Sequence, residues 1–273
     1  MSFEQMGFNP EEQFNDEKAK EANFKIDQNI KEDIENNLNK GFLERAMAVA
    51  EKGQINKEVL QEIVKNIVLR DFKDRNHKDM LYVLDYYGIG DNFLKNESFV
   101  KLGKDRVNLK LTKGDVIGAD EVLKDLNIDK QYLKTEEAKE AAKKGIKSKL
   151  SLDHIDEAIN IKKTFDIDDA FMKEVAKEEI RMRFKENLIV GATSLQKKFD
   201  ISDEFIREMT KEEVLSRLSS GNSLNGIAHF INEMKMDASF LADKKIKEAI
   251  RDRIRNMMGG HGQEKIPDIF KEI

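Results

Sequence analysis

The 273-residue chain contains no cysteine, no tryptophan and only two prolines. Without cysteine, disulfides, thiol nucleophiles and cysteine-ligated zinc or iron–sulfur sites are excluded. Pro10 and Pro267 lie close to the two ends, so residues 11–266 carry no ring that would break a helix. These absences favour an all-helical protein that needs no oxidising compartment.

Long apolar runs and phosphate-binding loops are missing as well. No window approaches 18 uninterrupted apolar residues and the N-terminus has no signal-peptide pattern, so we expect a cytoplasmic protein with no membrane association. The GGHG stretch from Gly259 is not followed by Gly-Lys-Ser/Thr. No metal-binding spacing relates the four histidines, His77, His154, His229 and His261. The sequence therefore predicts no catalytic activity, no metal and no cofactor.

The net charge of −5 is concentrated at the N-terminus. Residues 1–41 hold ten acids and five lysines, which leaves 43 acids and 43 bases in the other 232 residues. Proteins that bind nucleic acids usually show a clear basic excess, because their affinity depends on neutralised phosphates. That excess is missing from the greater part of this chain.

A six-residue motif recurs six times and organises the rest of the sequence. Each copy has an aliphatic anchor residue, a helix-capping residue, and later an aromatic residue or valine followed by another apolar residue. The anchors, at spacings of 34, 39, 39, 34 and 35 residues, are Ile55, Ile89, Ile128, Ile167, Ile201 and Met236. Mostly apolar residues stand twelve, nine, six and two positions before the anchors, which is one stripe on a helix. Periods of this length are typical of tandem helical hairpins.

Capping residues predict where the second helix of each hairpin begins. Residues whose side-chain oxygen can accept from free N–H groups follow five anchors: Asn56, Asp129, Asp168, Ser202 and Asp237. After Ile89, Gly90 and Asp91 stand in this place. The two 39-residue repeats carry five extra residues, and Asn96 and Thr135 in them resemble new N-caps. We therefore expect a short additional helix in each of these two repeats.

The sequence thus predicts an all-α fold, an α-solenoid of about six helix-turn-helix repeats of 34–39 residues with half-repeat caps. We expect an acidic leader over residues 1–24 that is either disordered or capping, and an N-terminal capping helix over residues 25–41. The six-repeat solenoid follows over residues 42–257. A linker and a short closing helix complete the chain over residues 258–273.

Over residues 42–257 the layout is similar to the tetratricopeptide and pentatricopeptide repeats, which have two helices in 34 to 35 residues. This resemblance implies a right-handed superhelix with the first helices on its concave side. The tetratricopeptide signature itself is absent, because the chain has no tryptophan and no proline at the ends of the repeats. The segment IDEAINIKKTFDI also resembles tandem repeats of bacterial proteins, a likeness that implies no activity.

Variable polar positions on the first helices are the candidate partner-binding residues. They stand seven and three positions before the anchors, where the resemblance implies a concave groove: Tyr82, Tyr86, Glu121, Asn160, Thr164, Ser194 and His229. The alternative is that these side chains are merely solvated, as polar faces of helices usually are. Tyr82 and Tyr86 favour binding, because two tyrosines one helical turn apart can anchor an interface.

A basic column near the end of the second helices is the other candidate site. It consists of Lys110, Lys149, Arg183, Arg217 and Arg253. These cations could bind anions such as phosphates, or could complement the helix dipole and cover apolar neighbours with their stems. We expect a scaffold or adaptor that binds another protein or peptide; the alternative is single-stranded RNA binding of the pentatricopeptide kind.

Overall fold

Helix is the only regular secondary structure in the part of the chain that the computed structural model describes, residues 28–72, 76–258 and 265–271. These ranges contain fifteen α-helices, two 3₁₀-helices and no strand, so the predicted all-α class is confirmed. The elements are α1 (Gln28–Asn39), α2 (Leu43–Lys52), α3 (Lys57–Asp71), α4 (His77–Tyr86), α5 (Asp91–Leu94), α6 (Glu97–Thr112), α7 (Val116–Asp125), η1 (Lys130–Lys134), α8 (Glu136–Ser151), α9 (Ile155–Thr164), α10 (Asp169–Lys185), α11 (Ile189–Lys198), α12 (Asp203–Ser219), α13 (Leu224–Glu233), α14 (Ala238–Leu241), α15 (Lys244–Met258) and η2 (Asp268–Phe270).

The first helix of every hairpin has the same length. Helices α2, α4, α7, α9, α11 and α13 are each ten residues long, and each begins twelve positions before its anchor residue. Before the first hairpin, α1 buries Ile34 and Leu38, the two residues that match the core positions of a second helix. The helix pairs therefore follow the predicted repeat. The leader predicted over residues 1–24 lies outside the described residues.

Two residues after the last residue of each first helix, directly before the anchor, the backbone has left-handed geometry. These residues, with φ between 49° and 63°, are Gln54, Gly88, Asn127, Asp166, Asp200 and Lys235. Each anchor N–H then donates to the carbonyl five residues earlier, over 2.9 to 3.2 Å. This is the Schellman arrangement, in which a left-handed residue ends a helix and the next residue packs its apolar side chain against the helix end. The anchor is thus the residue at which the chain turns back.

The second helices begin at the predicted caps. Side-chain oxygens of Asn56, Asp168, Ser202 and Asp237 accept from the backbone N–H three residues later, at 2.7 to 3.3 Å. In the two longer repeats, the predicted extra elements are α5 and η1. The predicted caps follow them: Asn96 Oδ1 accepts from Ser98 N at 2.9 Å, and Thr135 Oγ1 accepts from Ala138 N at 3.3 Å.

Two features near the C-terminus differ from the sequence prediction. The second helix of the last hairpin is broken into α14 and α15, and Asp243 caps the new start by accepting from Lys245 N at 3.0 Å. The break accommodates one extra residue, because Arg253 lies 17 positions after its anchor whereas Arg217 lies 16 after its own. The predicted closing helix is only the turn η2, which buries Phe270.

The described residues divide into two compact units, and each has its own core. The first comprises the described residues up to Lys110 together with Ile117–Tyr132. In it α1 packs on α2, α3 packs on α4, and the Phe72 and Phe99 rings meet edge to face at 5.2 Å. The second comprises Leu111–Val116 and the described residues from Leu133 onward. In it α8 packs on α9, α10 on α11, and α12 on both α13 and α15, so consecutive helices are neighbours.

A polar contact in the same repeat position joins neighbouring hairpins within each unit. The residue six positions after an anchor reaches the turn of the following hairpin. Gln61 Nε2 donates to the Tyr87 carbonyl at 2.9 Å, and Arg207 Nη1 donates to Asp237 Oδ1 at 3.1 Å. Among the described helices, none is both long enough and apolar enough to cross a membrane.

Gly88 tests the importance of the left-handed residue before the anchor. Its φ is +63°, and a Cβ built there would have no atom nearer than 3.8 Å, so the site offers space but disfavours L side chains. We expect Gly88→Ala to lower the free energy of unfolding by about 1 kcal/mol. Gly88→Asn should be milder, because asparagine tolerates this conformation and stands at the matching position 127. Urea denaturation followed by circular dichroism would measure both; equal losses would contradict the explanation.

Candidate functional site

The predicted partner-binding residues all lie on one exposed arc of the first helices. Successive residues of an α-helix are rotated by about 100° around its axis. The positions eleven, ten, seven, four and three before the anchor therefore lie within about 120° of one another on each first helix. On this arc Tyr86 is half-buried and the other predicted residues are exposed: Tyr82, Glu121, Asn160, Thr164, Ser194 and His229. Tyr82, Tyr86 and Glu121 belong to the first compact unit, and the rest belong to the second.

Two consecutive aromatic contacts and one hydrogen bond hold the tyrosine pair of α4. The Tyr82 and Tyr86 rings lie 6.4 Å apart, and Tyr86 meets Tyr87 edge to face at 5.2 Å. The buried Tyr87 hydroxyl donates to the Leu43 carbonyl at 2.8 Å. Burial, with a smaller contribution from Tyr86, raises the pKa of Tyr87 to about 12, so this hydroxyl remains a donor at neutral pH. Tyr82 remains 64% exposed at the outer end of a fixed aromatic row.

Ion pairs between neighbouring first helices align the exposed arcs within each unit. In the first unit, Lys78 Nζ lies 3.7 Å from Glu121 and 3.9 Å from Asp125, and the buried His77 Nε2 lies 2.8 Å from Asp125 Oδ2. In the second unit Lys198 and Asp156 are the matching pair, at 3.2 Å. Each pair joins the start of one first helix to the end of the next. The arcs of α4 and α7 therefore form one surface.

A groove that the sequence did not predict lies in the second compact unit. It has a volume of about 720 Å³ and is formed by α11, the start of α12 and the turn between α13 and α14. Its apolar lining includes Val190, Ile206, Met234 and Met236, and its polar lining includes Lys197, Glu204, Glu233 and Lys235. Val190 is 83% exposed, and the matching residue of α7, Ile117, is 77% exposed. An aliphatic residue eleven positions before the anchor, on the polar side of the first helix, was the sequence signal that could have indicated this groove.

Several polar groups of the groove already have partners within the protein. Gln196 Nε2 donates to Asp203 Oδ1 at 2.7 Å. Asp237 accepts from the Ser239 hydroxyl at 2.7 Å and from Arg207. The Ser239 hydroxyl first, and then Arg207, hold the pKa of Asp237 below its usual range. These hydrogen bonds hold the polar side chains that line the groove in place.

Arg183, in the basic column, hydrogen-bonds the end of the preceding second helix. Its Nη2 donates to the Leu150 carbonyl at 2.7 Å, its Nη1 to Asp153 Oδ1 at 2.9 Å, and its Nε to Glu179 Oε1 at 3.1 Å. Leu150 lies in the last turn of α8, where carbonyls have no partner within the helix. Arg183 is only 4% exposed, so its guanidinium group donates hydrogen bonds to a helix end and is not presented at the surface.

The next arginine of the column repeats these contacts one hairpin later. Arg217 Nη2 donates to the Phe184 carbonyl at 2.9 Å, Nη1 to Asn187 Oδ1 at 3.2 Å, and Nε to Glu213 Oε1 at 2.7 Å. Glu213 stands four residues before Arg217, as Glu179 stands before Arg183. A glutamate four residues before an arginine was the sequence signal that could have predicted this ion pair within the helix.

Arg253 makes only part of this set of contacts. Its Nη2 donates to the Gly221 carbonyl at 2.7 Å, but its Nε is buried without a hydrogen-bond partner. The residue four positions earlier is Ala249, which has no group that could accept. In the first compact unit Arg106, four positions before Lys110, donates to the Phe72 carbonyl at 2.7 Å and so covers the end of α3.

The two lysines of the column are half-buried. Lys149 pairs with Glu157 at 2.6 Å, and its stem packs against Gly114, where any Cβ would collide with it. Lys110 lies at the matching position in α6. Taken together, the contacts of this column favour the helix-end role over an anion-binding ladder.

The described residues contain no candidate metal-binding site. Within the described ranges, no three His, Asp or Glu side chains are grouped so that they could hold a metal ion. Comparison with known protein families, curated proteins and solved structures found no match.

Arg253 provides a test of the helix-end role. We expect Ala249→Glu to raise the free energy of unfolding by about 1 kcal/mol, because the new carboxylate would accept from the buried Nε. The reverse change in the preceding hairpin, Glu213→Ala, should lower it by about 1 kcal/mol or more, because Arg217 Nε then loses its acceptor. Urea denaturation of both variants beside the wild type would measure the two effects. Destabilisation by Ala249→Glu would contradict the assignment.

Proposed function

We propose that the protein is a helical-repeat scaffold that binds another protein or a peptide through the exposed arc of its first helices. The observation that carries this proposal is the tyrosine pair of α4, in which Tyr82 is 64% exposed and Tyr86 is braced by Tyr87. Tyrosine is enriched among residues that dominate binding energy, because it buries a large rigid area with little loss of side-chain entropy.

The contrast between framework and surface supports the same function. The anchors recur in every repeat and the apolar columns in nearly all of them, whereas the position seven before the anchor changes from Tyr82 to Glu121, Asn160, Ser194 and His229. Regular packing beside a changing surface suits a framework that contacts different groups of a partner at each hairpin. The paired-helix layout resembles the tetratricopeptide and pentatricopeptide repeats, and we propose that the first helices form the binding side here as well.

Single-stranded RNA binding is less well supported than protein binding. The cations that suggested it include Arg183 and Arg217, and these donate to backbone carbonyls and side chains of the preceding hairpin. Residues 42–273 hold no basic excess that would compensate. The groove beside Val190 has mixed acidic and basic lining, which suits a peptide better than a polyanion.

Affinity capture tests the proposed function. We expect the immobilised full chain to retain at least one protein from a native extract of the source cells, and to lose about tenfold or more of it in the Tyr82→Ala/Tyr86→Ala variant. Quantitative mass spectrometry would compare the eluates, and the retained protein would then be purified and titrated directly. The matched control is Lys101→Ala/Asp105→Ala, which removes two exposed side chains one turn apart on the second helix α6, outside the binding arc, and should leave retention unchanged.

Two further arms separate the alternatives. Tyr82→Ala alone removes an exposed side chain and leaves the Tyr86–Tyr87 contact intact, so it guards against a loss caused by unfolding of α4. Ribonuclease treatment of the extract would abolish retention that RNA mediates. If no protein depends on the tyrosine pair, the assignment of the binding surface is wrong.

A further inference from the structure

Acidic side chains surround the two tyrosines. Asp79 and Asp85 lie one turn to either side of Tyr82, about 60° from it around α4, and both are exposed. On the neighbouring α7, Glu121 and Asp125 occupy the repeat positions of the two tyrosines and are exposed as well. We call these exposed residues of α4 and α7, with Lys78 and Lys124, the tyrosine face.

The lysines of the tyrosine face do not neutralise it. The face holds four carboxylates and two lysines, so its net charge is negative. Lys124 Nζ lies 2.6 Å from Asp120, which lies outside the face. Lys78 lies between Glu121 and Asp125 at 3.7 and 3.9 Å, and both distances exceed that of a direct hydrogen bond.

This combination of rings and carboxylates has a defined chemical complement. The face of a tyrosine ring attracts cations within about 6 Å of its centroid, and carboxylates accept hydrogen bonds from them. A guanidinium group satisfies both, because it is planar, stacks on aromatic rings and binds carboxylates with two parallel N–H groups. An acidic segment or a phosphate backbone would instead be repelled.

We infer that the tyrosine face binds a positively charged, arginine-containing segment of the partner protein, an inference that rests on the proposed function. The selectivity belongs to α4 and α7 and is not a general property of the repeat. The first helix α11, for comparison, carries Lys197 and Lys198 on the corresponding arc and has no acidic residue. The same framework thus presents opposite charge at different hairpins.

Labelled peptides of simple composition test the inference. Fluorescein-labelled peptides that alternate glycine with arginine, lysine or glutamate would be titrated with the full chain and followed by fluorescence polarisation. We expect the arginine peptide to bind most tightly, the lysine peptide several-fold more weakly, and the glutamate peptide not at all. Affinity for the arginine peptide should fall as the salt concentration rises to about 0.15 M.

Variants of the full chain identify the groups responsible. Tyr82→Ala/Tyr86→Ala should weaken the arginine peptide about five- to thirtyfold, whereas Tyr82→Phe/Tyr86→Phe should retain most of the affinity, because phenylalanine keeps the ring face. Glu121→Gln should weaken binding about two- to threefold and reduce its salt dependence. The matched control in the same compact unit, Lys101→Ala/Asp105→Ala on α6, leaves the net charge unchanged and should have no effect.

Three results would overturn the inference: no binding of the arginine peptide, binding that the alanine variant leaves unchanged, or preference for the glutamate peptide. Its failure is distinguishable from failure of the proposed function. If capture from the extract still depends on the tyrosines while the arginine peptide fails, the scaffold function stands and the charge assignment is wrong. If capture fails too, both proposals are wrong.

Discussion

Every hairpin of this protein depends on one local arrangement, the left-handed residue that ends its first helix. An apolar stripe can select which side of a helix faces the core, but it cannot decide where the helix stops. Here the stop is made by a backbone reversal, by a hydrogen bond from the anchor N–H to a carbonyl at the helix end, and by burial of the anchor side chain, which is complete in four hairpins and partial at Ile55 and Met236. Because all six stops fall at the same place in the repeat, the first helices have equal length, and within each compact unit the exposed positions of neighbouring first helices stay aligned. The candidate surface is a consequence of that alignment.

Much of the framework could be predicted because its signals are local and periodic. The anchors, the caps such as Asp168 and Ser202, and the additional elements before Asn96 and Thr135 all follow from spacing and residue type. The left-handed residues were less visible, since Gln54 and Lys235 are neither glycine nor asparagine. The break before Asp243 escaped prediction because an aspartate between two helical segments has the same appearance as an ordinary surface acid.

The candidate site was predictable only in part, for a different reason. Helical periodicity decides which side of α4 a residue occupies, so the exposure of Tyr82 followed from its position. A long cationic side chain has no such constraint, and it can extend into solvent or fold back on the protein. The acceptor of Arg183 is a carbonyl 33 residues earlier, and a contact at that separation depends on packing between hairpins. The groove beside Val190 likewise joins three separate segments.

The arginine contacts also bear on how such a chain can change in length. The guanidinium groups of Arg183 and Arg217 donate to a backbone carbonyl of the preceding second helix, at Leu150 and Phe184 respectively, and a carbonyl is present whatever side chain stands there. The arginine of a duplicated hairpin would therefore find a carbonyl acceptor in the second helix before it, and no substitution in that helix would be needed to provide one. Gain or loss of whole repeats is thus chemically simple, and the binding surface could be extended or shortened while the connections between modules remain the same.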